Sequence, residues 1–529
     1  MINMAEFSYK VLITTSGIGS RLGEITKYTN KSLVRVGKKP ALAYIIESYP
    51  VEIPLVITTG YFSDHIKEFV DLAYPERTIE FIEVDKYEGK GTNLGYSMLQ
   101  AKDKLQCPFV FHACDTIVTD IIPAPAYNWV GGYKSGDSSQ YSSWNLLGDK
   151  LISFNNKGAM EYNTIHIGII GIKDYGKFWQ SLGELYTKNP DDSSLNDCRA
   201  VERMLEENYD FKIVDFATWY DVGNITALNY ARENIYDRFE NLEKIDESIF
   251  IFDKFVIKFF YKDKTVKERV ARAKILDGLV PSIEGATKNF YRYKYVEGNL
   301  YSRVINPINF SQFLKWAKEN LWKKSDEVSA EKFKQICLDF YCNKTKQRIN
   351  KFLEINSVAD TDNEINGEVI PSIKEMLNKV DFDWLCNAEQ SQFHGDLIPD
   401  NILKTVDGFC LLDWRQNFGG LLKSGDLYYD LAKLNHNLTV NHDVINENLY
   451  QIKTYKDSII CDIYRKENMV ACQEVLHDFI IREGYDLKKV KLLTALIWLN
   501  MSPLHHHPFN LFLFYFGKLK LWKTLKANN

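Results

Sequence analysis

Through about the first 235 positions, short runs of β-branched and aromatic residues alternate with amphipathic stretches. Val11–Thr15, Leu55–Thr59, Phe109–His112 and Ile165–Ile172 read as buried strands, while residues 41–49 and 63–74 carry apolar side chains at helical spacing. A helix is the usual connector that returns a chain for parallel pairing, so this alternation predicts an α/β domain with a mostly parallel, Rossmann-like sheet. It ends in a helical stretch from Ile225 to Tyr236. The pattern then changes. Ser248–Phe252 and Lys254–Tyr261 read as two tightly joined strands, followed by a charged helix over 264–276 and a strand over 291–296. From about residue 306 the helical period dominates, broken at Phe393–Asp413. The expectation is a first domain over 1–238 and an α+β second domain over 245–529. The second has a small β lobe (about 245–300) and a larger helical lobe (about 306–529), with the boundary at 237–247.

Length supports more than one core, since 529 residues exceed what a single core usually organises. With 45% apolar and 26% charged residues the chain has a globular composition. A net charge of -5 supplies no basic field for non-specific nucleic-acid binding. Lys518, Lys520, Lys523 and Lys526 are read as a solvated helix face. Nine cysteines without a CxxC pair fit reduced thiols, and the Cys337–Cys342 spacing matches no common zinc site. Residues 1–10 lack a signal pattern, and the oily run Leu511–Phe516 is too short to span a bilayer. A cytoplasmic protein with small-molecule substrates, no nucleic acid and no membrane insertion is expected, its oligomeric state open, a homo-oligomer included.

Strand Val11–Thr15 runs into Ser16-Gly17-Ile18-Gly19-Ser20-Arg21. Glycines after a strand let backbone amides approach phosphate oxygens, although a tight βα turn needs them equally. The continuation through Thr26, Asn30-Lys31-Ser32-Leu33, Lys39-Pro40 and Tyr44-Ile45-Ile46-Glu47 makes a long pattern. It resembles the signature of sugar-1-phosphate and phosphocholine nucleotidyltransferases. The resemblance implies that Gly17, Gly19, Arg21 and Lys31 handle the triphosphate, and that Gly91-Thr92-Asn93 contacts base and ribose. It further implies that Asp115 and Asp221 hold Mg²⁺, and that Lys157 contacts the acceptor phosphate. Asn30 and Ser32 stand where many sugar members carry proline, which leans toward the phosphocholine branch and CTP. The chemistry demands such a set: a phosphomonoester attacks the α-phosphorus of a nucleoside triphosphate, both reactants are anions, and charge must be neutralised.

In the second half, Phe393-His394-Gly395-Asp396 to Asn401 and Leu411-Leu412-Asp413 set an aspartate, an asparagine and a strand-end aspartate at fixed spacing. Gly425 to Ala432 completes the series. This set resembles the aminoglycoside phosphotransferase and choline kinase superfamily, implying a protein-kinase-like fold. There Asp396 accepts the hydroxyl proton, and Asn401 and Asp413 hold Mg²⁺. Lys258 would meet ATP phosphates with Glu268 as its partner, the bland reading of both being exposed polar positions. Choline kinases usually carry an acidic residue two places after the metal aspartate; here Arg415 stands there, which favours a hydroxy acid, polyol or sugar over a quaternary ammonium. The bland alternative for Arg415 is a salt bridge to a carboxylate such as Asp426. Trp316 and Trp322 read as a buried helix face, with an acceptor-pocket role as the rival, and His505-His506-His507 as a loop.

The combined expectation is a bifunctional enzyme for bacterial surface polysaccharide. ATP and Mg²⁺ phosphorylate a small hydroxyl compound, and a second Mg²⁺-assisted reaction couples the product to a nucleotide, CTP preferred. The alternatives are a choline or ethanolamine kinase fused to its cytidylyltransferase, a sugar kinase fused to an NDP-sugar pyrophosphorylase, and a protein in which one half is a degenerate regulatory domain.

Overall fold

The computed structural model describes residues 9–134, 137–235, 244–455 and 458–527. Contacts divide the chain into two compact units, Met1–Val266 with Glu284–Tyr295, and Lys267–Ile283 with Val296–Asn529. Of the expected boundary at 237–247, residues 237–243 lie outside the described residues, as do Tyr236 and the segment before Tyr9.

In the first unit, β1 (Lys10–Thr14), α1 (Ala41–Glu47), β2 (Leu55–Thr59), α2 (Ser63–Ala73), β3 (Ile79–Glu83), α3 (Leu94–Gln100) and β4 (Phe109–Ala113) alternate as predicted. Next come β5 (Trp129–Tyr133), β6 (Ser143–Leu147), β7 (Lys150–Asn155), β8 (Thr164–Ile172), α4 (Tyr175–Lys188), α5 (Asp197–Glu206), β9 (Lys212–Asp215) and α6 (Ile225–Asn234). The sheet order is β3-β2-β1-β4-β8-β5-β9-β7-β6. Along β1 the side chains alternate, Val11 and Ile13 packing into one apolar cluster and Leu12 into the other, so the core covers both faces.

The sheet is mixed, not mostly parallel. β3, β2, β1 and β4 are parallel, but β8 runs antiparallel to β4, β5 and β6, and β7 antiparallel to β6 and β9. An antiparallel pair needs only a turn, and Gly148, with φ 64°, supplies the one between β6 and β7. In that half β8 follows the strand pattern, whereas the other strands, β5, β6, β7 and β9, escaped it.

Strands β10 (Glu247–Ile251), β11 (Phe255–Phe260), β12 (Ile283–Ala286) and β13 (Phe290–Lys294) form a separate sheet in the order β10-β11-β13-β12, and α7 (Asp263–Ile275) follows β11. Phe250, Phe259 and Phe290 share one apolar cluster with Ile66 and Phe69 of α2. His65 of α2 stacks on Phe62 and meets Phe259 edge-on, and burial pushes its pKa down to about 4, so it packs as a neutral ring.

The second unit is mainly helical. Its helices include α8 (Pro307–Asn320), α9 (Ala330–Leu338), α10 (Lys344–Asn356), α11 (Leu427–Asn437), α12 (Glu467–Arg482), α13 (Leu487–Met501) and α14 (Phe509–Lys526). A hairpin of β14 (Ile402–Thr405) and β15 (Gly408–Leu411) interrupts them. A four-stranded sheet over residues 363–370 and 450–463 was not visible in the sequence pattern. α13 is apolar almost all round and correspondingly buried. His505–His507 fall in the turn before α14, as expected of a loop. All nine cysteines are free thiols. Among the described residues no helix is long and apolar enough to cross a membrane.

Glycines on neighbouring elements give the fold a direct test. Gly171 of β8 faces Trp129 of β5 in register, and a Cβ there overlaps the buried indole. Gly183, inside α4, has open space at its Cβ position. Gly171→Ala should lower the unfolding free energy by about 3 kcal/mol through overpacking, whereas Gly183→Ala should raise it by roughly 0.5–1 kcal/mol; urea unfolding of the two variants measures both.

Candidate active sites

The first cluster forms where β1 and β4 end. Gly19 has φ 73°, and a Cβ on it would sit 2.8 Å from the Lys31 Cβ, so only glycine lets the loop cross the lysine stem. Asn30 is fully buried and anchors that crossing. Its Nδ2 donates to Thr15 O (2.8 Å) and Tyr61 O (2.6 Å), and its Oδ1 accepts from the backbone and hydroxyl of Ser32 (2.9 and 2.8 Å). The short helical turn Lys31–Leu33 is thereby capped, and Lys31 Nζ donates to Asp115 Oδ2 at 3.0 Å. Arg21 Nη2 lies 3.9 Å from the same oxygen, its side chain 61% exposed.

Asp221 ends a short ribbon in which Trp219–Asp221 pairs antiparallel with Thr116–Val118, which brings it beside Asp115. Its Oδ1 accepts from Gly223 N (2.8 Å) and its Oδ2 from Tyr141 Oη (2.8 Å) and Asn224 Nδ2 (3.2 Å). A Cβ on Gly223 would stand 2.9 Å from Asp115 Oδ2, 3.0 Å from Asp221 Oδ1 and 3.1 Å from Arg21 Nη2. Two carboxylate oxygens and a guanidinium therefore converge on a cradle kept clear by the missing side chain. Hard oxygen donors around such a space suit Mg²⁺.

Burial works against ionisation of Asp115, but the Lys31 charge and hydrogen bond, helped by Arg21, outweigh it and hold the carboxyl below its ordinary value. Asp221 shifts the other way, raised first by burial and then by the Asp115 charge. Burial, the Asp221 charge and the hydrogen bond to that carboxylate together raise the Tyr141 hydroxyl. Tyr141 was not singled out from the sequence.

The remaining predicted residues of this half make local contacts. Gly91 has φ 81°, Thr92 Oγ1 donates to Gly89 O (2.6 Å), and Asn93 caps α3 by accepting from Tyr96 N (2.7 Å). Gly17 is partly exposed in the loop after β1. Lys157 is exposed in the turn after β7; the neighbouring Gly158 N donates to Ser138 O (2.7 Å), which ties that turn to the segment carrying Tyr141.

The second cluster lies in the second unit. Asp396 Oδ1 meets Lys433 Nζ of α11 at 2.7 Å, and Asn401 Nδ2 donates to Asp396 O at 2.9 Å. Leu412 N donates to Asn401 O (2.7 Å) and Leu412 O meets His394 Nε2 (2.8 Å), so the strand end bearing Asp413 is bonded to the loop bearing Asp396. Asp413 has φ 55°, a backbone state uncommon outside glycine, and forms an ion pair with Arg269 of α7. The Asn401 amide nitrogen bonds Asp396, and its Oδ1 and the Asp413 carboxylate offer hard oxygens of the kind that fits Mg²⁺. Burial opposes the charge on Asp396, but Lys433 prevails and keeps its pKa below the ordinary value.

Two buried side chains hold this loop from opposite sides. Asp430 accepts from the backbone N–H of His394 and Gly395 (2.7 Å each) and from Trp322 Nε1 (3.1 Å). Burial raises its pKa to about 6 against those bonds. Arg272, fully buried over the Phe393 ring, donates to the carbonyls of Phe393, His394, Arg415 and Leu422. Trp322 thus braces a carboxylate instead of lining an acceptor pocket. Arg272 and Lys433 carried no sequence signal beyond being basic residues on helices.

The alternative reading of Arg415, a salt bridge to Asp426, is not found: the Asp426 oxygens accept from Tyr341 Oη (2.7 Å) and Tyr428 N (2.9 Å). Instead the Arg415 guanidinium lies 5.0 Å from the centre of the Phe340 ring and donates to Asn417 O (3.0 Å). Glu268 accepts from Asn417 Nδ2. Lys258 is buried at the centre of β11, in the first unit.

No family model matches the chain, and no curated protein does. The solved structures similar to its N-terminal part are nucleotidyltransferases. A Bacillus anthracis protein described as a glucose-1-phosphate thymidylyltransferase is 20% identical over 45% of this chain and 98% of its own (TM-score 0.38). The CTP:phosphocholine cytidylyltransferase of Streptococcus pneumoniae is 18% identical over 43% and 99% (TM-score 0.36). The inositol-1-phosphate CTP transferase of T. maritima is 15% identical over 43% and 98% (TM-score 0.35).

Each cluster yields a test. The folded pKa of Asp115 lies below its unfolded one, so its charge favours the fold above the ordinary carboxylate range, and this contribution fades as pH falls through the depressed value. In Lys31→Met burial dominates, the pKa should move above the unfolded value, and the melting temperature should fall relative to wild type as pH rises from about 4 to 7. In the second unit, Asp430→Asn leaves one buried backbone donor facing an NH₂ group; denaturant unfolding should show a loss of about 1–3 kcal/mol.

Proposed function

We propose that the chain carries two sites for phosphorus chemistry: a nucleotidyltransferase in the first half and an alcohol phosphotransferase in the second. The observation carrying the first assignment is the convergence of Asp115, Asp221 and Arg21 on the space above Gly223, with Lys31 on the same carboxylate. Lys31 and Arg21 bind and neutralise the phosphates of the nucleoside triphosphate, and Asp115 with Asp221 holds Mg²⁺. The glycine loop Gly17–Gly19 supplies backbone amides, and Gly91 and Thr92 border the base and ribose. Lys157 faces the acceptor phosphate. Bound Mg²⁺ supplies charge neutralisation at the α-phosphate and pyrophosphate. The nucleotide is CTP in this reading.

In the second half Asp396 orients the acceptor hydroxyl and takes its proton, while Lys433 keeps the carboxylate ionised before transfer. Asn401 and Asp413 hold Mg²⁺, and Glu268 serves ATP. Arg269 on Asp413 and Lys433 on Asp396 neutralise these carboxylates without substrate. The acceptor is a small hydroxyl compound, and the charges around Arg415 favour a hydroxy acid over a neutral polyol or sugar. Lys344 also lies over the Phe340 ring, 4.2 Å from its centre. Burial, together with Arg415, Arg348 and Lys433, pushes Lys344 down to about 7. Four neighbouring cations suit a carboxylate-bearing acceptor. Phe340, Phe418 and Tyr429 form an aromatic group that could cage a quaternary ammonium, but Arg415 and Lys344 already take the Phe340 face. The resulting activated group would serve bacterial surface-polysaccharide assembly.

Purified protein incubated with ATP, CTP, Mg²⁺ and a panel of hydroxy acids, polyols, sugars and amino alcohols tests the reading. One acceptor should give a phosphomonoester and then a CMP-linked product with pyrophosphate. Asp396→Asn should slow only the first step, by about 10²–10⁴-fold, and Asp221→Asn only the second. If either variant leaves both rates unchanged, the two-site assignment fails.

A further inference from the structure

A cavity of about 480 Å³ opens among α11, α12, α13 and α14, apart from the Asp396 cluster. Lys433 and Asn435 on α11 are two residues apart and so project about 200° apart around the helix. Lys433 meets Asp396, whereas Asn435 lines the cavity.

Arg465, Lys488, Lys491, Lys520 and Lys523 line this cavity, and among the described residues no carboxylate side chain does. Asp462 and Asp478 are close enough to act on Lys520 and His477 but stand outside the lining. Among the described residues Arg465, Lys491, Lys520 and Lys523 enter no ion pair. Burial lowers the pKa of Lys520, and the charges of Lys523 and Arg465 lower it further. The lysine run of α14 is a solvated face only in part: Lys523 and Lys526 are exposed, whereas Lys518 is buried on Thr361 O and Asn363 Oδ1 and Lys520 is half-buried in the cavity wall.

The floor is neutral and already bonded. Gln473 Nε2 donates to Asn435 Oδ1 (2.8 Å) and Thr439 Oγ1 (3.0 Å), and its Oε1 accepts from Arg465 (3.0 Å). Asn435 Nδ2 donates to Thr494 Oγ1 at 2.9 Å. His477, driven down to about 4 by burial and by Lys491, adds a neutral ring 2.9 Å from Asn435 Oδ1. The Arg465 Nε is buried without a hydrogen-bond partner. Like charges gathered over a fixed polar floor repel one another until an anion enters.

We propose that this cavity binds a small phosphate ester, a ligand class distinct from the substrates of the two clusters in that it needs no metal. The volume lies within the range of small-molecule sites and well above that of one orthophosphate, and the apolar Trp498 and Leu487 walls suit an organic moiety beside the phosphate. Lysine and arginine supply charge-assisted hydrogen bonds to phosphate oxygens.

Calorimetric titration of the full chain in EDTA with inorganic phosphate, pyrophosphate, glycerol phosphate and CMP tests the assignment. An ester should bind more tightly than inorganic phosphate, and its affinity should fall as salt rises. Lys491→Gln/Lys520→Gln should weaken it at least about tenfold, with the circular-dichroism melt as the control for folding, whereas Asp221→Asn and Asp396→Asn should leave it intact. Inorganic phosphate binding as tightly as every ester would overturn the ligand class. Absence of binding by all four probes, or equal binding to the folded double variant, would overturn the site.

Discussion

Charge held out of water is the constraint around which both units are arranged. A buried carboxylate needs compensation, and this chain supplies it in two ways. Asp430 is compensated by fixed backbone N–H groups and an indole, and Arg272 by backbone carbonyls. Those partners cannot leave without unfolding the loop they hold. Asp115, Asp396 and Asp413 are compensated by Lys31, Lys433 and Arg269, long side chains that can swing to another anion. The division follows the chemistry assigned to each group: carboxylates that shape a loop rest on backbone, and those proposed to meet metal or substrate rest on displaceable cations.

How far this was legible depends on whether a residue acts through local pattern or through distant contact. β1, α1, β2 and α2 follow from periodicity, because each buries an apolar face in the α/β layers, whereas the half-exposed β3 does not. Nor do β6 and β7, which are half-exposed and pair across a two-residue turn. Arg21, Lys31, Asp115 and Asp221 do converge, and Asp396 and Asn401 are bonded to one another. The partners that set the electrostatics, Tyr141 on Asp221, Arg269 on Asp413 and Lys433 on Asp396, lie from 37 to 144 positions away at spacings no motif encodes. Asn417, a residue with no charge to notice, donates to Glu268 and accepts from Arg415, a link no motif marks.

Asn30 shows why a departure from an expected motif can carry structure. Proline at that position has no side-chain polar group, so the turn before Lys31 would take its shape from a fixed φ alone. Asn30 instead fixes the turn by hydrogen bonds to Thr15, Tyr61 and Ser32, reaching the end of β1 and the loop after β2. Lys31 is therefore positioned by the same strand ends that form the floor of the site. Ser32, the second departure, supplies the hydroxyl that completes the network. The two substitutions are best understood as one coupled change.

The second unit contains two cationic groups on opposite sides of α11, and their difference is chemical. Around Asp396 the cations Lys344, Arg415 and Lys433 share a space with a carboxylate and an aromatic ring, so their field is partly spent and shaped toward one point. Around Asn435 the cations line a neutral polar floor, with Asp462 and Asp478 acting from outside the lining, and the field is less compensated. A partly neutralised cluster can position an acceptor hydroxyl against Asp396 without binding the product phosphate so tightly that it cannot leave. A less compensated one is under less of that restraint and is suited to retention of an anion.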